Sequence, residues 1–287
     1  MTYARIVRTF SFRIVNVFTL DGHRLSGNPL CVFEDGRGLS EAEMQALACQ
    51  TNLSETTFVV PREDGRIGVR IFTPSYEMPF AGHPTLGTAH VIAGGREAVS
   101  LELRVGTVEV RLEGAHCTLR TAKPPAARPC DASRGELAEA LGLPESALAD
   151  DPTWIDTGVE QLVVPVRSVA DVRAAKPSPP LLVRVATSLG GEESMAYVIA
   201  EESPGRHVAR FFFTSHGAVI EDPATGSACA NFGGFHLVTG RPLPFRTSIR
   251  QGDEVARPSR LDLEVDTEGR VFVTGEVIEL GRGTIEL

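Results

Sequence analysis

Three titratable residues, Glu55, His83 and Asp222, lie beside turns rich in glycine, threonine and serine. His83 and Asp222 each come just before a predicted helix, within residues 81–84 and 221–223. The first turn of a helix offers unpaired N–H groups and the positive end of the helix dipole. Two such helix ends facing each other across a cleft would hold a carboxylate or stabilise a developing enolate-like oxygen.

Glu55 stands at the start of a run, Thr-Thr-Phe-Val-Val, that otherwise predicts an apolar strand. Burial there would raise the pKa of its carboxyl group, as a proton donor at neutral pH requires. Each functional interpretation has an alternative in which the residue has only a structural role. Glu55 could be a solvated edge residue, Asp222 a helix N-cap, His83 a structural histidine, and the glycines could serve only tight packing.

The sequence lacks the motifs of several other kinds of binding or catalytic site. The two turns contain neither a GxGxxG nor a GxxxxGK[ST] pattern, and no GxSxG elbow is present. The five cysteines show no metal-ligand spacing, which favours reduced thiols and no metal site. Cys229, the cysteine nearest either turn, is predicted to be packed rather than nucleophilic.

The elements that must position these residues are many strands and a few helices, which predicts an α+β fold. Capping boxes begin two helices, Ser40 with Glu43 and Ser133 with Glu136. The predicted helices cover residues 40–51, 84–93, 133–142 and 226–239. β-branched and aromatic runs predict strands at residues 12–19, 30–34, 56–60, 68–73, 99–113, 154–157, 161–166, 181–187, 195–200, 207–214, 261–265 and 271–279. The proline-rich residues 121–129 are the best candidate for a linker.

A short internal match indicates a duplication. Phe72-Thr73 recurs 141 residues later as Phe213-Thr214, and Gly87 to Ala89 recurs 139 residues later as Gly226 to Ala228. Each copy lies in a strand, a loop and a helix, so we expect two similar lobes. Chance similarity of two such units is the alternative.

Composition narrows the class of protein. The 287 residues carry 28 Lys and Arg against 37 Asp and Glu, a formal net charge of −9 without a basic stripe. That pattern disfavours nucleic-acid partners. No run is long enough to span a membrane, and the N-terminus lacks the apolar stretch of a signal peptide. A cytoplasmic enzyme acting on a small molecule is the expectation.

Five motifs, in order, resemble the PhzF-like phenazine-biosynthesis isomerase family: residues 27–29 (GNP), 52–59 (NLSETTFV), 72–74 (FTP), 79–87 (PFAGHPTLG) and 221–227 (EDPATGS). The resemblance runs from about Phe12 to the C-terminus. It implies a diaminopimelate-epimerase-like fold of two pseudo-symmetric lobes, each a curved sheet around a central helix. We expect residues 1–122 and 275–287 to form one lobe and 123–274 the other, with the active site in the cleft between them.

The resemblance also implies a function. A glutamate at the position of Glu55 shuttles a proton during isomerisation of dihydro-hydroxyanthranilate, and His83 and Asp222 complete the catalytic group. The residues implied in substrate binding are Asn28, Ser54, Gly82, Gly226 and Ser227. The family needs no metal, nucleotide or other cofactor, and its members usually form homodimers.

Racemases and epimerases of this fold use two facing cysteines, one at each central helix. Residues 80–87 and 219–227 contain none, so proton transfer through a carboxyl group is favoured. Differences at residues 76–78 and 229–231 leave the substrate open among unsaturated, amino-acid-like acids. The alternatives are an epimerase or lyase acting on a small amino or hydroxy acid, and a non-catalytic small-molecule-binding homologue.

Overall fold

The computed structural model describes residues 7–189 and 194–287. The elements of the first half are β1 (Thr9–Val17), β2 (Asn28–Phe33), α1 (Glu41–Thr51), β3 (Glu55–Pro61), β4 (Ile67–Phe72), β5 (Glu77–Met78), α2 (Gly82–Ile92), β6 (Ala98–Leu103), β7 (Gly106–Glu113) and β8 (His116–Arg120). Those of the second half are β9 (Ala126–Pro129), α3 (Arg134–Leu141), β10 (Thr153–Asp156), β11 (Glu160–Pro165), α4 (Val169–Ala174), α5 (Pro179–Val185), β12 (Met195–Ser203), β13 (Arg206–Ser215), β14 (Ala218–Asp222), α6 (Gly226–Val238), β15 (Phe245–Gln251), β16 (Ser259–Val265) and β17 (Val271–Glu286).

The two halves repeat one strand topology. Strands β1 to β5 pair in the same order and directions as β10 to β14, with one parallel step, β2 with β3 and β11 with β12. Beyond the helix that follows, β4 pairs in parallel with β6, as β13 does with β15, and two antiparallel steps complete each half. The predicted α+β fold of two pseudo-symmetric halves is confirmed.

Each half wraps around one apolar helix, α2 in the first and α6 in the second. Both are buried over most of their length, since the sheet covers them on several sides. β17 joins the halves: its first part pairs with β8 and β16, and its later part pairs with β1. The residue boundaries expected for the two lobes stay a prediction.

The duplication is real, but the offsets predicted for it are wrong. Gly226 begins α6 and therefore corresponds to Gly82, which begins α2. Gly87 lies in the middle of α2, where a Cβ atom would stand only 2.6 Å from Cδ2 of Leu30. Gly87 is thus a packing glycine, as one alternative held, and its sequence match with Gly226 is misleading.

The strand match is also off by one residue. In β4 and β5, Phe72 pairs with Glu77, whereas in β13 and β14 Phe212 pairs with Glu221. Phe212 is buried like Phe72, while Phe213 is only partly buried. The counterpart of Phe72 is therefore Phe212, and not Phe213 as the short motif predicted.

Local signals gave the helix ends well, and both predicted capping boxes are present. The strand predicted at 181–187 is wrong, because residues 179–185 form α5. Prolines occupy its first turn, and Leu182 and Val185 are buried with helical spacing, whereas Val183 between them is half exposed.

Two further boundaries differ from prediction. The run 99–113 is two strands, β6 and β7, joined by a tight turn. The proposed linker ends in β9, which pairs with β10. The other predicted strands are confirmed within a few residues, except that β17 runs on to Glu286. Within residues 7–189 and 194–287, no helix has the length and apolar character needed to cross a membrane.

Candidate active site

The N-termini of α2 and α6 lie close together. A Cβ atom on Gly82 would lie 3.7 Å from Cα of Gly226 and 3.7 Å from the backbone nitrogen of Ser227. The N-cap residues, Ala81 and Thr225, make no side-chain capping hydrogen bond. The N-cap side chains therefore leave the first-turn N–H groups of both helices uncapped. These N–H groups border one small space, which suits an anionic group.

Glu55 and His83 face each other beside this space. Glu55 is the first residue of β3, and its side chain is only 15 % exposed, so it is not a solvated edge residue. His83 is the second residue of α2, with a side chain 5 % exposed, and its Nε2 lies 3.5 Å from Oε2 of Glu55. The structure therefore brings together two of the three predicted catalytic groups.

His83 is held as a neutral imidazole. Burial lowers its pKa to about 4, although the Asp222 charge and a hydrogen bond to the Pro29 carbonyl oppose the shift. Nε2 makes no hydrogen bond within the described residues, so the bond to Pro29 uses Nδ1–H. A neutral ring that donates from Nδ1 presents an unprotonated Nε2, a hydrogen-bond acceptor, towards Glu55.

Asp222, the third predicted catalytic residue, is the last residue of β14. Burial and, to a lesser extent, the nearby Glu55 charge raise the pKa of its carboxyl group to about 6, against the opposing effects of His83 and of hydrogen bonds from Thr225 and Asn28. Its two oxygens accept from Nδ2 of Asn28, at 2.9 Å, and from the Thr225 hydroxyl. Because the N-cap of α6 is Thr225, the alternative that Asp222 caps this helix is wrong.

Asn28 ties the two sides of the site together. It is buried at the start of β2, and its Oδ1 accepts a hydrogen bond of 3.1 Å from Ser54, the residue before Glu55. Its Nδ2 also donates to the Ala224 carbonyl at 3.0 Å. One amide thus fixes the segment carrying Glu55 against the turn carrying Asp222.

Sequence reasoning missed three buried amides. Gln251 on β15 donates to the Asp222 carbonyl at 2.8 Å and to the Thr225 hydroxyl at 3.0 Å, so it supports the turn before α6. Gln161 on β11 donates to Oγ of Ser227 at 2.9 Å, and Asn231 on α6 donates to Gln161. No local motif marks them, because each acts on a residue in another element.

Cys229 is fully buried, and burial raises the pKa of its thiol. The prediction that it is packed is confirmed. A surface groove of about 380 Å³ lies elsewhere, lined by Arg70, Glu77 and Arg104 among others. Its three arginines are matched in charge by three glutamates, Glu41, Glu77 and Glu102, so this groove does not compete as a site for an anion.

The class of protein follows from fold and site together. Two pseudo-symmetric halves around paired central helices form the diaminopimelate-epimerase-like fold. At the junction of those helices, two carboxyl groups and an imidazole lie in a largely buried setting, which suits proton transfer on a small substrate.

Comparison with known proteins gives the family. Residues 15–283 match the family model described as phenazine biosynthesis-like protein, PhzC-PhzF. An uncharacterized isomerase of Pasteurella multocida is 38 % identical over 282 residues, covering 96 % of this chain and 94 % of that protein. The trans-2,3-dihydro-3-hydroxyanthranilate isomerase of Pseudomonas chlororaphis is 36 % identical over 276 residues, covering 92 % and 95 %. A PhzF-family crystal structure from Bacillus anthracis superposes with a TM-score of 0.83 at 23 % identity, covering 97 % and 99 %. The chain belongs to the PhzF family, and it is an isomerase.

Proposed function

We propose that this isomerase moves a proton and a double bond within a small unsaturated amino acid that carries a carboxylate, with trans-2,3-dihydro-3-hydroxyanthranilate as the representative substrate. One observation carries the proposal: Glu55, His83 and Asp222 converge beside the facing N-termini of α2 and α6. The relative that bears this substrate in its name adds support.

Glu55 is the acid/base in this scheme. Its carboxylate takes a proton from the carbon next to the double bond, and the electrons of that C–H bond form the new double bond. The electrons of the old double bond form the new C–H bond as Glu55 returns the proton to the far carbon. One carboxyl group can do both only if it reaches each carbon within about 3–3.5 Å.

The neighbours of Glu55 keep this proton in place. The unprotonated Nε2 of His83 offers an acceptor at 3.5 Å, so a proton carried by the Glu55 carboxyl has a partner between turnovers. Asp222, held by Asn28, would bind the amino or hydroxyl group of the substrate. The expected substrate-binding residues divide between the two sides of the site: Asn28 and Ser54 beside Glu55, and Gly82, Gly226 and Ser227 around the carboxylate.

The test is an NMR time course in D₂O with trans-2,3-dihydro-3-hydroxyanthranilate, comparing the wild type with Glu55→Gln. Loss of a general acid/base lowers kcat by about 10²- to 10⁴-fold, and we expect substrate affinity to change by less than about threefold. Glu34→Gln is the matched control, because Glu34 is a partly exposed glutamate just after β2 that pairs with Arg13. Equal turnover by wild type and Glu55→Gln would show that another residue transfers the proton.

The same spectra separate the alternatives. Deuterium entering at an α-carbon without migration of the double bond would indicate an epimerase. Binding without turnover of any unsaturated amino acid, unchanged by Glu55→Gln, would indicate a non-catalytic homologue. The homodimer implied by the family resemblance stays a prediction.

A further inference from the structure

A chain of buried hydrogen bonds leads from the backbone to the Ser227 hydroxyl. The N–H of Thr157 donates to Oδ1 of Asn231 at 3.0 Å, and the Thr157 hydroxyl donates to the same oxygen at 2.7 Å. Nδ2 of Asn231 donates to the carbonyl of Val159 at 2.8 Å and to Oε1 of Gln161 at 2.9 Å. Nε2 of Gln161 then donates to Oγ of Ser227 at 2.9 Å.

The backbone fixes the direction of every bond in this chain. An N–H can only donate and a carbonyl can only accept, so Thr157 and Val159 allow a single orientation of the Asn231 amide. Its NH₂ group faces Gln161, which must therefore present its oxygen there and its own NH₂ group to Ser227. The hydroxyl of Ser227 accepts that bond, and its hydrogen points elsewhere.

Ser227 is placed to use this hydrogen on a ligand. It is the second residue of α6, it is partly exposed, and its backbone nitrogen borders the space between the two helix ends. Gln161 and Asn231 are buried, so water does not compete for their hydrogen bonds.

We infer that Gln161 and Asn231 are positioning residues that commit the Ser227 hydroxyl to donate, so that the substrate group bound there is a hydrogen-bond acceptor, a carboxylate. The inference rests on the proposed use of Ser227 as a substrate ligand. It adds a chemical requirement: an acid binds better than the corresponding neutral amide, which offers one acceptor oxygen in place of two to groups that can only donate.

The test uses 3-hydroxyanthranilate and its neutral amide as probes in calorimetric titrations of the whole protein. Ser227→Ala should weaken binding of the acid about 10- to 100-fold, the loss expected for a hydrogen bond to a charged group. Gln161→Met keeps the volume of the side chain but releases the hydroxyl, and it should weaken acid binding roughly 3- to 10-fold. Thr157→Val is the matched control: it deletes one bond of the chain, but the Thr157 N–H still orients Asn231, so binding should stay within about twofold.

A double-mutant cycle distinguishes positioning from general support. If Gln161 acts through Ser227, then Gln161→Met has no further effect in the Ser227→Ala background. Additive losses, or equal losses in Thr157→Val and Gln161→Met, would overturn the inference, as would a wild type that binds acid and amide equally. Should Gln161→Met fail to fold, Gln161→Glu replaces it. That variant turns an acceptor towards Ser227 and should lose at least as much affinity, again only when Ser227 is present.

Failure of this inference differs from failure of the proposed function. A wild type that prefers the acid, but leaves dihydro-hydroxyanthranilate unchanged, refutes the proposed reaction and keeps the positioning role. A wild type that isomerises this substrate, but shows additive losses in the cycle, refutes the positioning role alone.

Discussion

Replacing Gly82 with alanine adds one methyl group at the point where the two central helices meet. Its nearest neighbours, Cα and C of Gly226 and the nitrogen of Ser227, would lie at 3.7 Å, which is ordinary van der Waals contact. The backbone of Gly82 does not have a positive φ, so alanine fits without strain. We therefore expect the free energy of unfolding to change by less than about 1 kcal/mol.

Activity should respond differently, because the methyl group occupies the space proposed for the substrate carboxylate. A displacement of about 1 Å at the reacting centre can cost 10²-fold in rate, so we expect kcat/KM to fall about 10- to 100-fold in Gly82→Ala. Gly87→Ala is the contrasting variant. Its Cβ would stand 2.6 Å from Cδ2 of Leu30 and 2.9 Å from Cγ2 of Val17, an overpacking that typically costs about 1–3 kcal/mol.

The assay is urea unfolding together with steady-state kinetics on both variants. Gly82→Ala should keep its stability and lose activity, whereas Gly87→Ala should lose stability and keep kcat/KM, per folded molecule, within about threefold. If Gly82→Ala retains full activity, the carboxylate does not bind between the helix ends. If Gly87→Ala instead lowers activity at unchanged stability, the assignment of Gly87 to packing is wrong.

Two further predictions concern titration and thiol chemistry. Because burial lowers the pKa of His83 to about 4, His83 destabilises the fold as the pH falls from 6.5 towards 4. Because burial raises the pKa of Asp222 to about 6, Asp222 destabilises it as the pH rises from 3.8 towards 6. The free energy of unfolding of Asp222→Asn, relative to wild type, should therefore rise by roughly 1–2 kcal/mol as the pH rises from about 4 to 6. That of His83→Gln should instead rise relative to wild type as the pH falls from about 6 to 4. Urea unfolding at a series of pH values measures both. Identical pH slopes in both variants would contradict these assignments. Cys229→Ala should keep kcat/KM within about threefold at a cost in stability of about 1 kcal/mol, and a loss of turnover at full stability would indicate thiol catalysis.

The parts of the fold that could be predicted are those with local causes. The Ser40 and Ser133 capping boxes lie within four residues of sequence, so they could be read directly. The error at residues 181–187 arose because Val183 and Val185 favour strands by type, while the prolines before them and the burial of one face decide for a helix.

The residues of the candidate site also fall into those that local sequence could predict and those that it could not. Glu55, His83 and Asp222 stand in recognisable motifs, so the sequence could name them. Gln161 could not be found, because its partner Ser227 lies 66 positions away and an isolated glutamine in a strand has no signature. The register of the duplication failed for a related reason: a short match at Gly87 reflects packing, and only the positions of the helix ends show which glycines correspond.

The duplicated fold also bears on the stereochemistry of the reaction. The halves supply two helix N-termini, but the strands beside them differ. β3 carries Glu55 at its start, whereas residues 195–200 of its counterpart β12 read Met-Ala-Tyr-Val-Ile-Ala and offer no carboxyl group. Inversion at carbon needs proton donor and acceptor on opposite faces, whereas migration of a double bond needs only one group that takes the proton and gives it back. Among the described residues, the start of β12 thus offers no counterpart to Glu55, the acid/base proposed above, and this asymmetry favours transfer of the proton on one face of the substrate.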